Sequence, residues 1–266
     1  MIDGTLLLVG RHTDGSSRAI DVHAERLRDR GVAASVRGVR YDRTHAVDGD
    51  GTALSEASAH DDGDVFLLPA VVANTRGTRH AVRSIAASIS APVCVCDPIG
   101  RAPVVSRLLL ERAEEAAEPS GDTALVLVGF DSESSPPESR ETLEYHARRL
   151  RERSGYGDVG SCYLLRDPSV ECAQYNVSER RIVVVPAFVS PGPAIEAEIR
   201  AKIRADSDRV SYADPLGTHP RLTDAMHAAV TKRCVLEARD RDASPPTPPI
   251  RGSGGRVDAD GGRIPD

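Results

Sequence analysis

Val65-Phe66-Leu67-Leu68-Pro69-Ala70-Val71-Val72 returns 117 residues later as Ile182-Val183-Val184-Val185-Pro186-Ala187-Phe188-Val189. Each is a short apolar run carrying a proline, the pattern of a strand buried on both faces. The repetition extends outward from it. Leu6-Leu7-Leu8-Val9-Gly10 recurs as Leu125-Val126-Leu127-Val128-Gly129 at an offset of 119, and Asp97-Pro98-Ile99-Gly100-Arg101-Ala102-Pro103 recurs as Asp214-Pro215-Leu216-Gly217-Thr218-His219-Pro220 at 117. His23-Ala24-Glu25-Arg26-Leu27-Arg28 and His146-Ala147-Arg148-Arg149-Leu150-Arg151 fall in the corresponding first helices. Anchors that keep their order at a nearly constant offset indicate duplication of a whole unit, and such a pair builds its site in the cleft between the copies.

Around the anchors, apolar runs alternate with amphipathic segments. The first half predicts strands at 5–10, 33–38, 64–72 and 93–96, with helices at 16–30, 76–90 and 103–117. The second predicts strands at 124–129, 159–165, 181–186 and 209–212, with helices at 137–153, 193–204 and 220–236 and a short one at 168–175. Alternation of this kind specifies an α/β fold of two tandem domains, 1–117 and 124–236, each a parallel sheet flanked by helices. Residues 118–123 read as the linker and 43–63 as loop. Residues 238–266 are almost devoid of apolar side chains and are expected to be disordered.

Aromatic residues are only 3% of the chain and Trp is absent, so the core must be aliphatic. A net charge of −6 argues against a nucleic-acid partner. No apolar run reaches the roughly 18 residues of a membrane span, so no membrane partner is expected. The first residues read as a strand and not as a secretion signal, and five cysteines form no framework spacing. A reduced, cytoplasmic setting is the simplest reading.

In open parallel sheets the ligand lies beyond the carboxyl ends of the strands. Arg11 and His12 follow the first strand; Arg76, Arg79 and His80 follow the proline strand; His219 lies in the Asp214–Pro220 loop. A neutral imidazole binds borderline metals and accepts a proton near neutral pH, whereas arginine pairs carboxylates through two fixed donors. Asp167 and Glu171 are further carboxylates near a strand end, Asp14 and Asp131 recur after the first strands, and His45 and His60 lie in the acidic loop. His23 and His146 read as structural. Of Cys94 and Cys96, one thiol is expected to face the core, which would prevent joint chelation.

The order of the anchors, with Tyr212-Ala213-Asp214-Pro215-Leu216-Gly217-Thr218-His219-Pro220 as the most specific stretch, resembles the sirohydrochlorin cobaltochelatase and ferrochelatase family, the class II chelatases. The resemblance spans about residues 5–236 and extends to the tandem form, in which two α/β halves face one another across a cleft. It implies insertion of Co²⁺ or Fe²⁺, a substrate and not a resident cofactor, into a sirohydrochlorin-like tetrapyrrole of cobalamin or siroheme biosynthesis. It implies His12 and His80 as metal and proton handlers, and Arg11, Arg76, Arg79 and His219 as substrate contacts. The family carries histidine directly after the first-strand glycine, where this chain has Arg11 and Phe130. It carries a second histidine near positions held here by Gly77 and Ala194. These departures leave open an alternative: a non-catalytic relative that binds a tetrapyrrole or metal, or partners an active chelatase. Paired α/β halves also occur in periplasmic-type binding proteins, against which the lack of a secretion pattern speaks.

Overall fold

A computed structural model describes residues 2–12, 16–41, 47–48, 63–132, 135–204 and 207–243. The first half runs β1 (Ile2–Arg11), α1 (Ser16–Asp29), β2 (Ala33–Tyr41), β3 (Val47–Asp48), β4 (Asp64–Pro69), α2 (Arg76–Ser88), β5 (Val93–Val95) and α3 (Pro103–Ala116). The second runs β6 (Thr123–Gly129), α4 (Pro137–Arg151), β7 (Asp158–Tyr163), a 3₁₀ turn (Val170–Cys172), β8 (Arg181–Pro186), α5 (Pro193–Ile203), β9 (Val210–Tyr212) and α6 (Pro220–Ala243). Proline occupies the first turn of α3, α4 and α5, where its missing N–H has no intrahelical partner to lose.

The strands form two sheets, ordered β3-β2-β1-β4-β5 and β7-β6-β8-β9. All pairings are parallel except that β3 joins the edge of the first sheet antiparallel, through Arg40–Asp48 and Tyr41–Val47. That two-residue strand lies in the stretch expected to be loop. The predicted short helix at 168–175 is reduced to the 3₁₀ turn, and α6 continues through Ala243, past the expected end at 236. Residues 244–266 lie outside the described residues, as do Asp14, His45 and His60.

Side chains alternate across each sheet, so one run of apolar residues feeds two cores. In the first sheet Leu6, Leu8, Phe66 and Leu68 pack with α1, whereas Leu7, Val9, Val65 and Leu67 pack with α2. In the second sheet Leu125, Leu127, Val183 and Val185 join the same central core as Leu6 and Leu8, and Val126, Val128, Ile182 and Val184 pack with Ile199 and Ile203 of α5. The α1, α3, α4 and α6 helices thus lie between the two sheets and share one continuous core. Cys94 and Cys96 are both buried in it, while Val95 is exposed. The expectation that only one of these thiols faces inward fails because strand residues two apart share a face.

The last helix of each half crosses to the other half: α3 lies against β8, and α6 lies against β4 and β5. Two buried histidines fasten the exchange. His23 on α1 bonds Thr223 Oγ1 of α6 through Nδ1 (2.8 Å) and the Gly217 carbonyl through Nε2 (3.0 Å). His146 on α4 bonds Ser106 Oγ of α3 through Nδ1 (2.7 Å) and the Gly100 carbonyl through Nε2 (2.5 Å). A carbonyl only accepts, so Nε2 carries the proton in both rings and Nδ1 accepts from the hydroxyl. These contacts are pseudo-equivalent, since Gly100 and Ser106 lie 117 residues before Gly217 and Thr223.

Candidate functional site

The carboxyl ends of both sheets converge on one large cavity of about 1150 Å³. Gly10 and Gly129, the glycines that end β1 and β6, form part of its wall. A Cβ on Gly10 would lie 2.6 Å from Ile20 Cδ1 of α1, and one on Gly129 would lie 2.7 Å from Leu143 Cδ2 of α4. The repeated glycine therefore admits the helix that follows each first strand, and Ile20 and Leu143 themselves reach the wall.

The two halves line the cavity differently. The first contributes Arg11 at the end of β1 and Arg76, Arg79, His80 and Arg83 from the first two turns of α2. Spacing of i, i+3, i+4 and i+7 puts those α2 side chains on one face. Thr75 caps this helix, accepting from the Thr78 N–H at 3.1 Å. Its first turn holds no acidic residue, so the positive helix end adds to the arginines. Beneath them the Tyr41 hydroxyl meets Thr78 Oγ1 at 2.6 Å, and Thr78 Oγ1 lies 3.0 Å from Thr75 Oγ1. Burial pushes the Tyr41 phenol above its usual range.

The second half offers Phe130 beside β6, Tyr163 at the end of β7, Phe188 beyond β8 and Ile195 on α5, together with Ser132, Ser135 and Ser139. The Arg140 guanidinium lies over the Tyr163 ring, 5.2 Å from its centre. Two contacts bridge the halves at this edge: Arg79 pairs with Glu138 at 3.1 Å, and Ser139 Oγ donates to the Asn74 carbonyl at 2.6 Å. The Glu138 carboxyl is held below its usual range, first by a backbone N–H and then by Arg79.

Of the residues singled out from sequence, Arg11, Arg76, Arg79 and His80 meet on this wall. His12 is exposed one residue past Arg11, its N–H bonded to the Tyr41 carbonyl at 2.6 Å, and is not among the lining residues. His219 is also absent from the wall: its Nε2 lies 3.8 Å from Glu111 and its Nδ1 accepts the Arg221 N–H at 3.3 Å. Asp131 is buried, accepting the Ser132 N–H at 3.0 Å with Arg166 at 3.6 Å. Glu171 pairs with Lys202 at 2.9 Å, and the Asp167 carbonyl accepts from Arg140 at 3.1 Å. The sequence reading missed Arg83, although its spacing from Arg76 signals it. It also missed Tyr41, Tyr163 and Phe188 as wall residues. Among the described residues no group of three or more His, Cys, Asp and Glu side chains is placed to hold a metal ion. No helix among them is long and apolar enough to cross a membrane.

Residues 132–233 match the CbiX family model. A probable sirohydrochlorin cobaltochelatase of Halobacterium salinarum is 26% identical over 148 residues, 49% of this chain and 50% of the relative. The chain therefore spans about half the length of the curated relative it matches. Among solved structures, SirB from Bacillus subtilis with Fe³⁺ superposes with a TM-score of 0.69 at 15% identity, over 90% of this chain and 98% of SirB. CbiX, described as the terminal enzyme for siroheme biosynthesis in denitrifying bacteria, gives 0.64 at 17% identity, over 86% and 98%. DR2241 from Deinococcus radiodurans, a multi-domain protein with structural similarity to chelatases, gives 0.64 at 17%, over 91% of this chain and 60% of that one. At these identities the structural likeness establishes the fold: both halves together build the tandem α/β architecture of these chelatase structures.

Proposed function

We propose that the cavity takes up a sirohydrochlorin-like tetrapyrrole and catalyses insertion of a divalent metal, Co²⁺ or Fe²⁺, in cobalamin or siroheme biosynthesis. The observation that carries this reading is the cavity at the facing strand tips, to which the first half brings Arg11, Arg76, Arg79 and Arg83 and the second brings Phe130, Phe188 and Ile195. Arginines bind the acidic side chains of the macrocycle because a guanidinium matches a carboxylate bidentately. Insertion requires two pyrrole N–H protons to leave as the ion enters. His80, the imidazole among the described lining residues, accepts one of them and guides the metal, and the other passes to water. His12, at the end of β1, is the second candidate for this work, although its ring lies outside the lining set. His219 contacts substrate only if its loop turns away from Glu111. Five unpaired cysteines are consistent with a reducing, cytoplasmic setting.

Mixing the protein with metal-free sirohydrochlorin and Co²⁺ and following the absorbance change of insertion tests the proposal. Wild-type protein should accelerate insertion over the protein-free reaction, and His80→Ala should lose about 100-fold of that acceleration while still binding the ring. A rate equal to the protein-free control contradicts the enzyme reading. That one imidazole stands among the described lining residues also favours a second reading: a module that binds the ring without metallating it. Ring binding with no insertion by wild-type protein identifies that case.

A further inference from the structure

The chain has three phenylalanines, six tyrosines and no tryptophan. Phe66 is spent in the core, but the other two phenylalanines, Phe130 and Phe188, both line the cavity. Both are half-buried: each packs against the outer core of the second sheet and keeps the rest of its surface on the hollow. A chain this poor in aromatic side chains has placed them where a ligand would sit. Duplication sharpens the point. Phe130 occupies the position of Arg11 in the other copy, Phe188 that of Val71, and Ile195 that of Thr78. At each of these pairs the second copy carries the larger or more apolar side chain.

We propose that Phe130 and Phe188 form a stacking subsite, supplied by the second half, for the flat face of a conjugated ring whose carboxylates lie on the arginines of the first half. This rests on the function proposed above and assigns its two walls separate tasks: charge fixes the rim of the ligand, and the aromatic pair recognises the plane. Aromatic faces attract flat π systems in offset geometry at little entropic cost, because phenylalanine has only two side-chain torsions to fix. The same pair adds nothing to the binding of a flexible acyclic polycarboxylate, which satisfies the arginines and leaves the rings uncovered.

Titration of metal-free sirohydrochlorin, followed by its fluorescence, tests the assignment. The variant Phe130→Leu/Phe188→Leu retains apolar bulk and removes both aromatic faces. It should bind about tenfold or more weakly, with an unchanged thermal midpoint. Binding of citrate, measured by calorimetry as a probe of the arginine wall alone, should be the same in variant and wild type. Equal affinity of the two proteins for sirohydrochlorin would overturn the stacking subsite and leave the proposed function standing. Failure of the wild-type protein to bind the ring would overturn both. Should the double variant unfold, the single variant Phe188→Leu decides by the same comparison, with about threefold weakening expected and none contradicting it.

Discussion

His146 and His23 are the residues on which the association of the halves is most exposed to pH. Each imidazole is fully buried and neutral, its proton committed to a carbonyl. Burial pushes His146 down to about 4, outweighing the Gly100 carbonyl, with Arg149 on its own helix and Arg101 on the facing loop acting in the same direction as burial. His23 is lowered too, mainly by burial, with Arg26 assisting and the Gly217 carbonyl opposing. A histidine depressed in the folded state binds fewer protons there than when unfolded. Its contribution is therefore complete above about pH 6.5 and is lost as pH falls toward 4. Urea unfolding at a series of pH values should show stability declining across that window. His146→Ala should cost about 2–4 kcal/mol at pH 7, by leaving Ser106 Oγ and the Gly100 carbonyl unpaired around a void, and should flatten the decline. Much of this was legible: recurrence of His23 and His146 in matching helices already marked them as structural. The cavity wall was legible in part. A strand-tip argument selects His12 and His80 equally, because it locates a loop without saying which way a side chain turns. Arg83 was within reach, since α2 repeats its cationic face every three to four residues.

At the level of elements every strand but β3 could be read to within about three residues at each end, because short apolar runs flanked by Gly, Pro and Asp leave little choice of type. Destination was less visible. The apolar stripes of α3 and α6 require burial but do not specify which sheet buries them, so a sequence divided at 117 and 124 suggests two self-sufficient domains. The exchange of helices removes that independence. Without the second half, β4 and β5 lose α6 and α3 loses β8. A fragment of residues 1–117 should fail to unfold cooperatively in a thermal scan monitored by near-ultraviolet circular dichroism, whereas a sharp transition would show that the half folds alone. Within the full chain, Leu109→Ala on α3 should destabilise by about 2–5 kcal/mol, the cost of a cavity in the core shared by both sheets. Equilibrium unfolding measures it.

For the molecule as a whole, duplication supplied symmetry and sequence divergence then broke it. The strand tips of the two sheets meet at one cavity, as a tandem α/β reading anticipates, yet the copies no longer offer the same chemistry to it. The first offers guanidinium groups and an imidazole at a helix N-terminus; the second offers aromatic and aliphatic surface interspersed with serine hydroxyls. Sequence comparison of the copies reveals each substitution, such as Arg11 against Phe130, but only the fold shows that both members face the same space. The proposed division of labour makes a definite demand on geometry. A crystal structure of the full chain with metal-free sirohydrochlorin measures it most directly. The ring should lie between the two sets of strand tips, with carboxylates against Arg76, Arg79 or Arg83, a face toward Phe130 and Phe188, and His80 turned to the macrocycle. A ring bound on another surface, or seated with its carboxylates on the phenylalanine wall, would contradict the account.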